Sequence, residues 1–164
     1  MVRSSLTGTL IVVLLIPVSL AVLYLAFFGG SFPFFSEGVG KETLFIERVP
    51  IKVDIADTEE KRILGLGGRS FLPANQGMLF VFDSVASHGI WMKGMQFPID
   101  IVWIGSNLRV VDIMENVQPD SFPRIFYPRA NARYVLEVNA LFVEARDIQK
   151  GDTITLPSSL SSPL

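Results

Sequence analysis

The chain has 164 residues, 49% of them hydrophobic, with a mean hydropathy of +0.44, no cysteine and a formal net charge of −2. Without cysteine there are no thiol nucleophiles, iron–sulfur clusters or thiolate zinc sites, and a pI near 5.4 gives no global basic field for nucleic acid. The length corresponds to about one folded domain.

Apolar residues are concentrated at the start. No charged side chain occurs between Ser4 and Ser36, and Leu6 to Phe28, as a helix rising ~1.5 Å per residue, is roughly 34 Å long and spans a bilayer. A cleaved signal peptide and a retained anchor compete for this stretch. The run is longer than a signal peptide's apolar region and leaves through Phe27 and Phe28 rather than a small-residue cleavage pattern, which favours the anchor. Pro17 falls mid-span, where a membrane helix tolerates a kink. Arg3 against Glu37 places residues 1–5 in the cytoplasm and the remainder outside it. Residues 29–40, rich in glycine and phenylalanine, read as a juxtamembrane linker, residues 41–156 as the folded domain, and residues 157–164 as a polar tail.

Within the domain the hydrophobic period is mostly two. Thr43 to Arg48 and Ile51 to Ile55 are expected strands, the second alternating Ile51, Val53 and Ile55 with Lys52 and Asp54. A short helix follows, with Asp57 or Thr58 as N-cap, Glu59 and Glu60 in its first turn and Gly65 able to stop it. Gly77 to Phe82 is an apolar strand, and Asp83 to Ala86 a turn. Further strands are expected around Gly89 to Met92, Pro98 to Ile104 and Leu108 to Asn116, the last two joined by a hairpin at Gly105-Ser106-Asn107. A proline-punctuated loop covers Val117 to Asn131. Tyr134 to Val138 is a strand, Phe142 to Lys150 holds a helical turn, and Thr153 to Leu156 is the last strand. The expected fold is mainly β, an antiparallel sandwich, jelly-roll-like or barrel domain with one short helix.

The segments EEKRILGLGGR, GMLFVF, WMKGMQFPIDIVWI, YVLEVNA and IQKGDTI, in this order and spacing, resemble the domain of unknown function 192 family over essentially the whole folded part. The resemblance implies an exported or membrane-tethered, jelly-roll-like β-domain and supplies no activity. This chain departs from the family's usual residues at Gly67, where Met is common, at Gly94-Met95, where Asn-Thr is common, and at Leu141, where glycine is common.

The run from His88 to Ile104 concentrates the unusual side chains. Lys93 and Asp100 bracket the short loop Gly94 to Pro98, which brings ammonium and carboxylate towards one end of the sheet, either as a partly buried ion pair or as polar groups of a cleft. Trp91 and Met92 can line such a cleft or enter the core, and Trp103 reads as a core or rim aromatic. His88 is the sole histidine; with no second histidine, cysteine or spaced carboxylate cluster it reads as a surface residue rather than a ligand or base. Arg62 and Arg69 flank the glycine-rich helix exit and either present guanidinium groups to an anion or pair with Glu59 or a sheet carboxylate. Arg124, Arg129 and Arg133 form the basic run, which is either a solvated loop or a contact for anionic headgroups or envelope polymers. Glu137 joins Asp100 as a possible acid–base pair whose separation is not readable from sequence.

Together these residues describe a single-pass, N-terminally anchored, extracytoplasmic domain. The leading expectation is a non-catalytic ligand-binding or interaction module of the cell envelope, its cleft built from Trp91, Lys93, Asp100, Arg62 and Arg69. Its expected partners are the membrane, through Leu6 to Phe28, and a polar or anionic ligand, with no nucleic acid, cofactor or metal. Two alternatives are an envelope hydrolase or transferase acting on glycan or cell-wall material through His88 or the Asp100 and Glu137 carboxylates, and a structural partner within a membrane complex.

Overall fold

The computed structural model describes residues 41–161. The expected anchor, its cytoplasmic flank, the linker and residues 162–164 lie outside the described residues, among which no helix is long and apolar enough to cross a membrane.

The strands are β1 (Glu42–Ile46), β2 (Val49–Ala56), β3 (Gln76–Ala86), β4 (Ile90–Trp91), β5 (Ile99–Ile104), β6 (Val110–Val117), β7 (Ile125–Phe126), β8 (Ala132–Asn139) and β9 (Ile154–Thr155). The helices are α1 (Glu59–Leu64), α2 (Phe142–Ala145) and α3 (Ser158–Ser161), with a 3-10 turn at Pro119–Ser121. Seven strands form one sheet in the order β6-β5-β8-β3-β2-β1-β9, and β4 pairs with β7 in a separate ribbon.

The fold is mainly β, as expected, but two parts of the expectation change. First, β2 and β3 run parallel, in the register Lys52↔Gln76 to Ala56↔Phe80, while the other pairings are antiparallel. A parallel neighbour requires a long crossover, and the α1 segment between the two strands provides it. Second, there is no sandwich of two large sheets. The seven-stranded sheet curls into a half-barrel whose outer strands meet through a bridge between Arg109 and Thr153. Val110 N–H donates to Asp152 O at 2.9 Å and Ile154 N–H to Leu108 O at 2.8 Å, satisfying edge groups that would otherwise be open for pairing.

Helix α1 forms where the chain loses its period of two. Thr58 is extended and its side chain accepts from Lys61 N–H, Glu59 and Glu60 sit at the positive end of the helix dipole, and Gly65 ends the helix with φ 53°. Beyond the expected elements, Asp83 to Ala86 continues β3 through a register shift rather than turning. Ile125–Phe126 forms a strand inside the expected loop, and Ser158–Ser161 is a helical turn in the expected polar tail.

Because side chains alternate across a strand, the sheet carries a core on each face. The inner face holds Leu44, Ile51, Val53, Leu79, Val102, Leu136 and Val138, with Phe142 and Val143 of α2 packed among them. The outer face holds Met78, Phe80, Ile101, Trp103 and Val135 under Leu66, Ile90, Met92 and Phe126. All six residues of β5 are buried, which is why it reads as an unbroken apolar run rather than an alternating one.

Candidate functional site

The outer layer does not close completely. Between α1 and its exit on one side and the β4–β7 ribbon on the other, a cleft of about 320 Å³ opens onto the sheet. Phe80 and Phe82 of β3 and Glu137 of β8 line it from the sheet, with Arg62, Trp91 and Lys93 among its other lining residues.

Three backbone contacts set the shape of one wall. Gly68 N–H donates to Gly94 O at 2.9 Å, Gly67 N–H donates to Leu64 O at 3.0 Å, and Met95 N–H closes a turn on Met92 O at 3.2 Å. A Cβ at Gly67 would lie 2.8 Å from Leu64 O and 3.0 Å from Lys93 O. Glycine therefore lets the α1 exit press against the Lys93 turn, and two of the positions where this chain departs from the usual family residues meet there.

Glu137 is the unusual group. Its strand neighbours are Met78 on one side and Ile101 on the other; it is 4% exposed, and its Oε2 is buried with no hydrogen-bond partner. Burial, opposed by the charge of Arg69, pushes its carboxyl up to about 8, so at neutral pH the group is mostly protonated. Several exposed apolar side chains surround the cleft: Ile63, Leu64, Trp91, Ile125 and Tyr127 are each between 38% and 66% exposed. This apolar surface is gathered around one opening.

Of the residues singled out from sequence, Arg62, Trp91 and Lys93 come together on this cleft. Arg62 is largely occupied: its Nη1 donates to Asp57 O at 2.9 Å and Val81 O at 2.8 Å, and its guanidinium lies 5.4 Å from the Phe82 ring centre. Lys93 Nζ lies 5.4 Å from the Trp91 ring centre. Arg69 takes the sheet-carboxylate alternative and pairs with Asp54 at 2.8 Å.

Asp100 lies elsewhere. It projects from the inner face, fully buried, where Oδ1 accepts from Asn116 N–H at 2.8 Å and Oδ2 from Val143 N–H at 3.0 Å. It thus ties β6 and the first turn of α2 to β5. The expected approach of Lys93 to Asp100 does not occur, because Lys93 belongs to the exposed outer layer while Asp100 points inward. Nor do Asp100 and Glu137 form a carboxylate pair.

His88 stacks on Phe82 with ring centres 3.6 Å apart, its Nε2 is 2.9 Å from Ser84 O, and its own carbonyl accepts from the buried Trp103 indole at 2.9 Å. Arg129 grips Asp112 through side chain and backbone, joined by Lys150 Nζ at 2.6 Å. Burial alone would raise the Asp112 carboxyl, but these hydrogen bonds outweigh it and hold the group well below the usual carboxylate range. Arg124 lies over Phe126 at 4.7 Å. The basic run is thus partly neutralised within the domain. Among the described residues, no group of three or more His, Asp or Glu side chains is arranged to hold a metal ion.

Glu137 was expected only as a possible acid–base partner of Asp100 and not in the ligand set, and Ile63, Ile125 and Tyr127 were not expected at the site. The signal was present for Glu137 alone: a single carboxylate in an otherwise apolar strand, YVLEV.

A family model described as an uncharacterized ACR, domain of unknown function 192, matches residues 43–156. The chain belongs to this family. The 192 domain therefore occupies nearly all of the described structure. A UPF0127 protein of Thermococcus gammatolerans is 33% identical over 105 residues, covering 63% of this chain and 65% of the relative. A UPF0127 protein of Pyrococcus furiosus is 28% identical over 113 residues, covering 66% and 89%. The chain spans just under two thirds of the length of the Thermococcus gammatolerans and Thermococcus kodakarensis relatives. Among solved structures, a Sinorhizobium meliloti protein described as a candidate transcription regulator superposes with a TM-score of 0.67 at 29% identity, covering 72% of this chain and 96% of that one. A Novosphingobium aromaticivorans protein of unknown function has the same fold, with a TM-score of 0.67 at 24% identity over 70% of this chain and 84% of that one.

Proposed function

We propose that the 192 domain of this chain is a non-catalytic small-ligand-binding module, held at the membrane by Leu6 to Phe28 and facing the extracytoplasmic side. The observation that carries the binding reading is the cleft with Glu137 Oε2 buried and unpartnered while exposed apolar side chains surround the opening. A buried polar atom without a partner is destabilising by roughly 1–3 kcal/mol, and a bound ligand that supplies the missing hydrogen bond offsets this. The composition of Leu6 to Phe28 and the Arg3 flank support the membrane placement.

A hydrolase reading is less well supported. Asp100 and Glu137 lie on opposite faces of the sheet, and the His88 ring is stacked on Phe82 with no hydroxyl nucleophile among its hydrogen-bond partners.

Trp91 makes the binding reading testable. It is 38% exposed beside the cleft, whereas Trp103 is fully buried. A panel of small amphipathic compounds should include members that change Trp91 emission and raise the Tm, and Trp91→Phe should abolish the emission change while calorimetric binding persists. Binding that survives Tyr127→Ala combined with Ile63→Ser unchanged would place the ligand elsewhere and remove this reading.

A further inference from the structure

We propose that the Glu137 cleft takes a small organic ammonium, a primary amine on an aromatic or aliphatic body, its nitrogen donating to Glu137 and its body lying against Phe80, Ile90 and Trp91. This inference rests on the reading of the cleft as a ligand site and specifies what that site recognises.

The polar chemistry of the cleft selects the head group. Glu137 contributes a buried carboxyl oxygen with no hydrogen-bond partner from main chain or side chain, and once the carboxyl has given up its proton the missing partner is a donor. An ammonium brings three donors and a charge opposite to that of the carboxylate. An anionic head would find the single O–H of the protonated acid there and, besides it, the Lys93 ammonium, already held over the Trp91 ring. The nearby guanidinium groups are not free to serve an anion either: Arg62 is committed to two carbonyls and the Phe82 ring, and Arg69 to Asp54.

The walls point the same way. Phe80, Phe82, Trp91 and Tyr127 supply aromatic surface to the cleft, and two of these rings already hold cations of the protein itself, Arg62 on Phe82 and Lys93 on Trp91. Aromatic faces that attract a guanidinium and an ammonium within the chain will attract one from outside it. Lys93 is exposed, on a flexible stem, and has no ion-pair partner among the salt bridges of the described residues. It therefore stands as a competitor for the incoming ammonium.

The charged and titratable groups around Glu137 are Glu59 and Arg62 of α1, Arg69 beyond it, Lys93 after β4 and Tyr127 after β7, while its strand neighbours Met78 and Ile101 are apolar. Below pH 8 the carboxyl carries its proton; on binding an ammonium it gives that proton to solvent, and the ligand N–H takes its place on the oxygen. Amine affinity should therefore rise as the pH approaches 8, while a carboxylate ligand would bind more weakly over the same range.

The test uses the full chain in detergent and three probes of matched shape: phenethylamine, 2-phenylethanol and 3-phenylpropionate, followed by calorimetry and Trp91 emission. Phenethylamine should bind at least tenfold more tightly than the other two, and Glu137→Gln should bring it to the level of the alcohol. Lys93→Met, at an exposed position that does not threaten folding, should strengthen amine binding severalfold. Tighter binding of the propionate or the alcohol, or weaker amine binding in Lys93→Met, would overturn the ammonium assignment and leave the ligand site standing. No response to any of the three probes would remove both.

Discussion

Asp100 lies opposite Val138, and Glu137 lies opposite Ile101, on the adjacent strands β5 and β8. A one-residue offset on a pleated sheet reverses the face, so two carboxylates that are near neighbours in the ladder serve different cores. Asp100 is enclosed with the inner cluster and satisfied by two main-chain N–H groups; Glu137 lies under the outer layer with Oε2 unpaired. The first supports the fold, and the second gives the cleft its chemistry.

Removal of Asp100 should therefore be a stability defect. Asp100→Ala leaves Val143 N–H and Asn116 N–H without their acceptor, a loss of roughly 2–4 kcal/mol by the cost of unsatisfied buried donors. Asp100→Asn keeps one acceptor but turns a donor towards an N–H, and should fall between Ala and wild type. Urea unfolding measures the loss; a variant of unchanged stability that fails to bind the cleft probes would show instead that Asp100 belongs to the site.

Glu137 should make the protein less stable as the pH rises. Its folded value of about 8 lies above the ordinary 4.5, so between these values the native state holds more protons than the unfolded chain and unfolding becomes easier with increasing pH. Glu137→Leu should remove this slope and be more stable than wild type at pH 9, with little difference at pH 4. Asp112 acts with the opposite sign: its stabilisation is fully present above its ordinary 3.8 and is lost as the pH falls below that value towards its depressed folded value. Denaturation curves at pH 5, 7 and 9 for wild type and Glu137→Leu decide the point, and parallel curves for the two proteins would rule out the buried-acid account.

Gly67 and Gly68 are neighbours with different requirements. A Cβ at Gly67 meets two carbonyl oxygens at 2.8 and 3.0 Å, whereas one at Gly68 meets nothing within 4 Å and is opposed only by its φ of +79°. Gly67→Ala should cost roughly 1–3 kcal/mol by overpacking and weaken probe binding, because it pushes the α1 exit away from the Lys93 turn. Gly68→Ala should cost about 1 kcal/mol of backbone strain and leave binding intact. Equal effects on binding would mean that the contact with Lys93 does not shape the cleft.

Much of this architecture was legible in the residues. Alternation along Ile51, Val53 and Ile55 marked β2, the break in that period with Thr58, Glu59, Glu60 and Gly65 marked α1, and the segments from EEKRIL to KGDTI marked the family. These are local properties: a strand's period, a cap and a glycine act through neighbours a few residues away. Trp91, Lys93 and Arg62 were also recognisable as residues of one cleft, and they line one, whereas Asp100 and Arg69, expected beside them, are not among its lining residues.

What tertiary structure alone decided is the pairing. The parallel register of β2 with β3 and the meeting of Arg109 with Thr153 join residues far apart in the chain, and nothing in either segment announces its partner. The same holds for the two acids. Sequence determined that Asp100 and Glu137 would sit in apolar strands; only the tertiary packing placed one where main-chain donors of β6 and α2 meet it and left the other unpaired beneath an open layer, because partners for a buried acid come from other elements and not from its own strand.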